Sequence, residues 1–235
     1  MYGLNAVALI FFCGINILAY QLSKQPMVQS QRVVRGLSAV LLLGNLFRYL
    51  FFYPVVCKTV QIPVEFSTVA YFVVPTVLLT RAERLKSWAA YSGLMAGFFY
   101  YMAMIVAGGT IYHAQAPLDV YISMFCHGAI YACGLVTIAS SRLREKDGKK
   151  LLFGVALVAA RAALLRSWVA RSEHLLIYIL LDGAAVKALL PAAAWHFALP
   201  IYYFCVAVFV LLSIKGFFRS SNAQYRKFSA MRAAK

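Results

Sequence analysis

Seven apolar runs, at 4–22, 36–56, 62–80, 88–108, 120–140, 151–170 and 199–218, each come close to the length of helix that crosses a bilayer. A hydrocarbon core is about 30 Å thick and takes about 20 residues of helix at 1.5 Å each. In a chain of 235 residues these runs leave only short connections, with no room for a separate soluble domain. The composition agrees: 63% of the residues are hydrophobic and 13% charged, too few polar side chains to cover a water-soluble surface. The predicted fold is all-α, a polytopic membrane helical bundle of seven transmembrane helices over residues 1–218, with a basic cytoplasmic tail at 219–235.

The net charge of +16 does not read as a nucleic-acid footprint, because the cations recur between the apolar runs instead of clustering on one face. Lys24, Arg32 and Arg35 fall in the first connection, and Arg81, Arg84 and Lys86 in the third. Arg142, Arg144, Lys146, Lys149 and Lys150 fall in the fifth, and Arg219, Arg226, Lys227, Arg232 and Lys235 in the tail. The second connection holds only Lys58, and the fourth neither Lys nor Arg. The positive-inside rule then places the N-terminus outside and the tail in the cytoplasm of a cell-membrane protein. The first run has no basic leader and reads as a retained helix. The five cysteines show neither a CxxC pair nor metal-ligand spacing and read as packing residues; no metal or cofactor is expected. Segment 171–191 is interrupted by Asp182, Gly183 and Lys187 and reads as a re-entrant or interfacial element before the last helix, with an eighth helix as the alternative.

An ionisable group inside a span costs at least a few kcal/mol and so needs a partner, a wet cavity or a function. The candidates are Arg48 in helix two, Glu65 in helix three, His127 in helix five, Arg161 and Arg166 in helix six, and Asp119 at a boundary. Entering from outside, helix three carries Ser67 roughly 7 Å down and helix five carries His127 roughly 12 Å down. The set falls in one outer-half layer and predicts a single cavity there. Asp119, Ser123, His127 and Tyr131 recur every four residues as a polar stripe, and Thr68 and Tyr71 accompany Ser67 on helix three. The functional expectation is a lipid-active enzyme: Ser67 as nucleophile with His127 as base, performing acyl transfer or lipid-ester hydrolysis. Arg48, Arg161 and Arg166 would hold an anionic group of a phospholipid or acyl lipid, with Glu65, Thr68, Tyr71, Asp119, Ser123 and Tyr131 lining the site. The structural alternative makes Ser67 and His127 helix-to-helix hydrogen-bonding groups. Two other functions fit the same residues: a small-anion transporter or channel, and a non-catalytic membrane subunit. Residues 161, 166 and 171 recur every five positions and share no face, unlike a voltage sensor.

The stretch IPVEFSTVAYFVVPTVLLTRAERLKSWAAYSGLMAG, the histidine of MFCHGAIY and the final IYILLDGAAVKALLPAAAWHFALPIYYF together resemble the YwaF-like integral membrane proteins. They also resemble that family's eukaryotic relatives that transfer acyl chains onto ether phospholipids. The resemblance covers about two-thirds of the chain and implies acyl chemistry at helices three and five. Ser67 stands where the family has cysteine, and Val64 or Glu65 where it has the preceding histidine.

Overall fold

A computed structural model describes residues 3–58, 61–111, 117–169 and 176–234. The regular elements are helices, in the order α1 (Leu4–Lys24), α2 (Met27–Phe47), α3 (Phe66–Thr80), α4 (Lys86–Ile111), α5 (Pro117–Ser140), α6 (Gly148–Leu165), α7 (Leu176–Leu181), α8 (Ala184–Leu189) and α9 (Trp195–Ala233). Six helices are long and apolar enough to cross a membrane; α3, at 15 residues, is shorter.

Local chemistry sets the ends. Pro26 ends α1, because the residue before a proline is pushed to extended backbone, and Gln25 has ψ of 162°. The same rule shortens α3. Pro63 disfavours helix at Ile62, and Glu65, with ψ of 146°, is still non-helical, so the helix starts at Phe66 and not at the expected 62. About 22 Å of helix remains. Arg81 closes it in the left-handed region at φ 55°, a conformation usually left to glycine. α2 starts nine residues before its expected apolar run and continues through residues 48–56 as π-helix. Pro54 in that segment lacks an N–H, and the wider turn accommodates the break.

α4 and α5 are the centre of the bundle. Of the apolar window of α5, 78% is buried, and 61% of that of α4, against 22% or less for α1, α2, α6 and α9. Glycines let the two approach. A Cβ at Gly93 would lie 2.5 Å from the Ile130 carbonyl oxygen, and one at Gly97 would lie 2.4 Å from Tyr131 Cβ. The Gly93-x-x-x-Gly97 spacing puts both on one face. α2 meets α5 through small polar groups: Ser38 Oγ is 3.8 Å from Cys133 Sγ, and Asn45 Nδ2 is 3.7 Å from Cys126 Sγ.

α7 and α8 are six residues each, about 9 Å of helix, so neither crosses a bilayer. They are joined through Gly183, which has φ 61°. Arg171, at the start of the expected segment, lies outside the described residues. The basic stretch after 218 continues α9, which runs unbroken for 39 residues, about 58 Å. Its far part packs on the bundle: Phe217, Phe218, Ser221 and Phe228 are buried, and the Tyr20 and Phe228 rings are 5.7 Å apart. Arg232 donates to the Ser23 and Ala139 carbonyl oxygens, both at 2.9 Å. Those carbonyls end α1 and α5 and have no partner within their own helices.

Candidate functional site

His127 is held on every side. The Ser123 carbonyl oxygen lies 2.8 Å from Nδ1 and can only accept, so Nδ1 carries the proton and donates to it. The lone pair is then at Nε2, where the Tyr71 hydroxyl, 3.2 Å away, donates; the same oxygen is 2.7 Å from Nδ1. Tyr100 stacks on the ring at a centroid distance of 3.6 Å, with 7° between the planes. His127 is 6% exposed and Tyr71 2%, so the dyad is buried within the bundle. Ser67 sits one turn before Tyr71 on α3, half-buried, and its hydroxyl has no hydrogen bond among the described residues. The serine is thus not joined to the histidine, whose nitrogens are both engaged. Thr68 donates back to the Glu65 carbonyl at 2.9 Å.

The other polar residues fall into separate groups and not into one cavity. Arg48 pairs with Asp119 at 3.2 Å and lies over the Tyr53 ring, 5.0 Å from its centre. Its buried Nε has no partner among the described residues. Tyr131 donates to Asn16 Oδ1 of α1 at 3.3 Å. The α5 stripe therefore faces α2 at Asp119, α3 and α4 at His127, and α1 at Tyr131. The reason is helical geometry: each step of four residues overshoots a full turn by about 40°, so twelve residues rotate the stripe by about 120°.

Glu65, Arg161 and Arg166 make a third group around α7. Glu65 accepts from the Ile177 amide at 3.4 Å and so caps α7. Arg161 donates to the Pro63 carbonyl oxygen. Arg166 grips both oxygens of Asp182, at 2.5 and 2.6 Å, and that hydrogen bond holds the Asp182 carboxyl below its ordinary range. Tyr178, fully buried, donates to the Ala162 carbonyl at 2.8 Å. These arginines are already committed to groups of the protein itself.

A roomier opening than either of these clusters offers lies beside α6. A cleft of about 500 Å³, within the usual range of ligand sites, separates α6 from α3 and α4. Val69 and Val73 of α3 form one wall and Leu151, Phe153, Leu157 and Val158 of α6 the other. The Trp88 indole is its floor and lies directly on Gly154, where a Cβ would fall 1.5 Å from Nε1. One end is charged, with Arg84, Lys149, Lys150 and Asp147. Asp147 accepts from Lys150 at 2.6 Å and Ser87 at 3.1 Å. Burial would raise this carboxyl, but those hydrogen bonds and the charges of Lys150 and Arg144 hold it below its ordinary value. A second cavity, of about 110 Å³, lies beside Arg35, Arg81 and Thr137 and has room for a few waters.

Sequence reasoning missed this cleft, because it arises from α6 standing off from its neighbours, which no local pattern records. The aromatic run Phe98–Met102, which by its composition is either lipid-facing or packing surface, divides between the two: Phe98 and Phe99 are exposed, whereas Tyr100 and Tyr101 are buried, and sequence did not single out Tyr100 as the partner of His127. The four-residue step back from Tyr100 to Ala96, on the Gly93 and Gly97 side of α4, was the available signal. Among the described residues no group of three or more His, Cys, Asp or Glu side chains comes together to hold a metal.

The chain is an all-helical bundle with six membrane-length helices, the architecture of a multi-pass membrane protein. It matches no family model, no curated protein and no solved structure.

Proposed function

We propose that the chain is a seven-span membrane protein, N-terminus outside, that holds a membrane lipid with an acyl chain in the cleft between α3, α4 and α6. The observation that carries this reading is the cleft itself: apolar walls on two helices, a tryptophan floor and a polar end. An amphiphile has the same division along its length. α3 counts as the seventh span despite its length. In the non-helical lead-in at 61–65, Val64 is buried and the Pro63 carbonyl is satisfied by Arg161, the kind of protein contact that non-helical backbone at membrane depth requires. The orientation is supported by Arg232, which brings the basic end of α9 to the ends of α1 and α5 next to the other basic connections.

Acyl transfer through Ser67 would first require Tyr71 and Ser123 to release the His127 ring, and nothing in the geometry favours that step. Val73→Trp tests the lipid reading by filling the cleft. Native mass spectrometry of the purified protein should show wild type retaining a lipid and the variant retaining roughly tenfold less, equivalent to about 1.4 kcal/mol. Equal retention, with thermal stability unchanged, would place the lipid elsewhere.

A further inference from the structure

The cleft's charged end is more specific than the positive-inside rule requires. That rule asks only for cations at this end of the bundle, and Arg142, Arg144 and Lys146 meet it without lining the cleft. At the cleft mouth stand three cations and one carboxylate, a balance of +2. The carboxylate is already occupied: Asp147 is gripped by Lys150 from α6 and Ser87 from α4. Arg84 and Lys149 are both exposed and have no hydrogen-bonding or ionic partner among the described residues. They come from opposite sides of the opening, Arg84 from the turn between α3 and α4 and Lys149 from the first turn of α6.

We infer that this cleft selects an anionic phospholipid, with an acyl chain between α3 and α6 and the phosphate between Arg84 and Lys149. The inference rests on the lipid-holding reading above and adds the headgroup. The apolar walls supply little selectivity among lipids, since one acyl chain resembles another to a valine or leucine surface. Discrimination therefore falls to the mouth. A guanidinium offers a phosphate a planar fork of donors, and an ammonium opposite it adds a second point charge. A headgroup with its own trimethylammonium would bring a third positive charge against Arg84 and Lys149, which a net-anionic headgroup avoids. Lys150 is the positioning residue: by holding Asp147 it keeps the carboxylate that lines the cleft from neutralising Arg84 and Lys149. In the proposed orientation the lipid comes from the cytoplasmic leaflet, where anionic phospholipids attract basic segments.

The test uses the full chain, purified and delipidated in mild detergent, and titrated with phosphatidylglycerol or phosphatidylcholine of identical acyl chains under native mass spectrometry. Wild type should bind phosphatidylglycerol at least about tenfold more tightly. Arg84→Gln and Lys149→Gln should each lower that preference by about fivefold, weakening phosphatidylglycerol binding more than phosphatidylcholine binding. Arg84→Lys and Lys149→Arg should keep most of it. Lys146→Gln removes a cation from the same end that does not line the cleft, and should leave the preference intact. Equal binding of the two lipids by wild type would overturn the headgroup assignment while leaving the lipid-holding reading in place. An effect of Lys146→Gln as large as that of Lys149→Gln would overturn it too, in favour of a diffuse basic surface. Binding of neither lipid would remove both readings.

Discussion

Gly93→Ala combined with Gly97→Ala should prevent α4 from seating on α5, and the purified variant should lose its monodisperse peak in size-exclusion chromatography. At Gly93 the added carbon meets the Ile130 carbonyl oxygen at 2.5 Å and its carbon at 3.3 Å, both backbone atoms of a buried helix. At Gly97 it meets Tyr131 Cβ at 2.4 Å and the His127 carbonyl oxygen at 2.9 Å. No flexible side-chain end is available to move aside, so the helices must separate. Overpacking of a tight contact costs about 1–3 kcal/mol per site, and the two sites share one interface. A combined loss of roughly 2–6 kcal/mol is a large share of the stability of a domain of ordinary size. Gly44→Ala is the control, since nothing lies within 4 Å of a Cβ there. If the double variant were as stable as Gly44→Ala, the close approach of α4 and α5 would be wrong.

His127→Ala has the second large effect, and it falls on folding. The substitution removes a ring stacked on Tyr100 and leaves the buried Tyr71 hydroxyl without its acceptor. A large-to-small core change costs about 2–5 kcal/mol, and an orphaned buried donor about 1–3. Tyr71→Phe removes only the hydroxyl and should cost about 1 kcal/mol. The two changes should not add: with Tyr71→Phe already in place, His127→Ala leaves no orphaned donor and should cost at least about 1 kcal/mol less than it does alone. Thermal unfolding of the two single variants and the double variant reads this coupling. Strict additivity would mean that the histidine and tyrosine are not partners.

Much of the fold was legible because a bilayer makes length and apolarity nearly sufficient. Six of the seven runs became membrane-length helices, and the seventh fell short at Pro63, a residue whose effect on its predecessor is local and readable. The helical continuation past 218 was also legible in principle. Phe217, Ser221, Phe228 and Arg232 share one helical face, but the charge of the stretch reads first as a solvated tail. The candidate site was legible as residue types on their helices. Its pairings were not. Periodicity placed Ser67 and Tyr71 one turn apart on one helix, and only packing decides which of them meets His127 on another. Likewise, Arg166 finds Asp182 sixteen residues on, a pairing that no spacing rule reports.

The cysteines offer the most direct test of the orientation on which the cleft's leaflet depends. Cys126 and Cys133 are buried, and Cys13 and Cys205 are exposed on the apolar helices α1 and α9. Cys57 alone stands exposed at a helix end, where the extension of α2 stops before α3. A membrane-impermeant maleimide applied to intact cells should label the protein, and Cys57→Ser should abolish the labelling. Labelling of Cys57 only after the membrane is permeabilised would put that end inside and contradict the orientation.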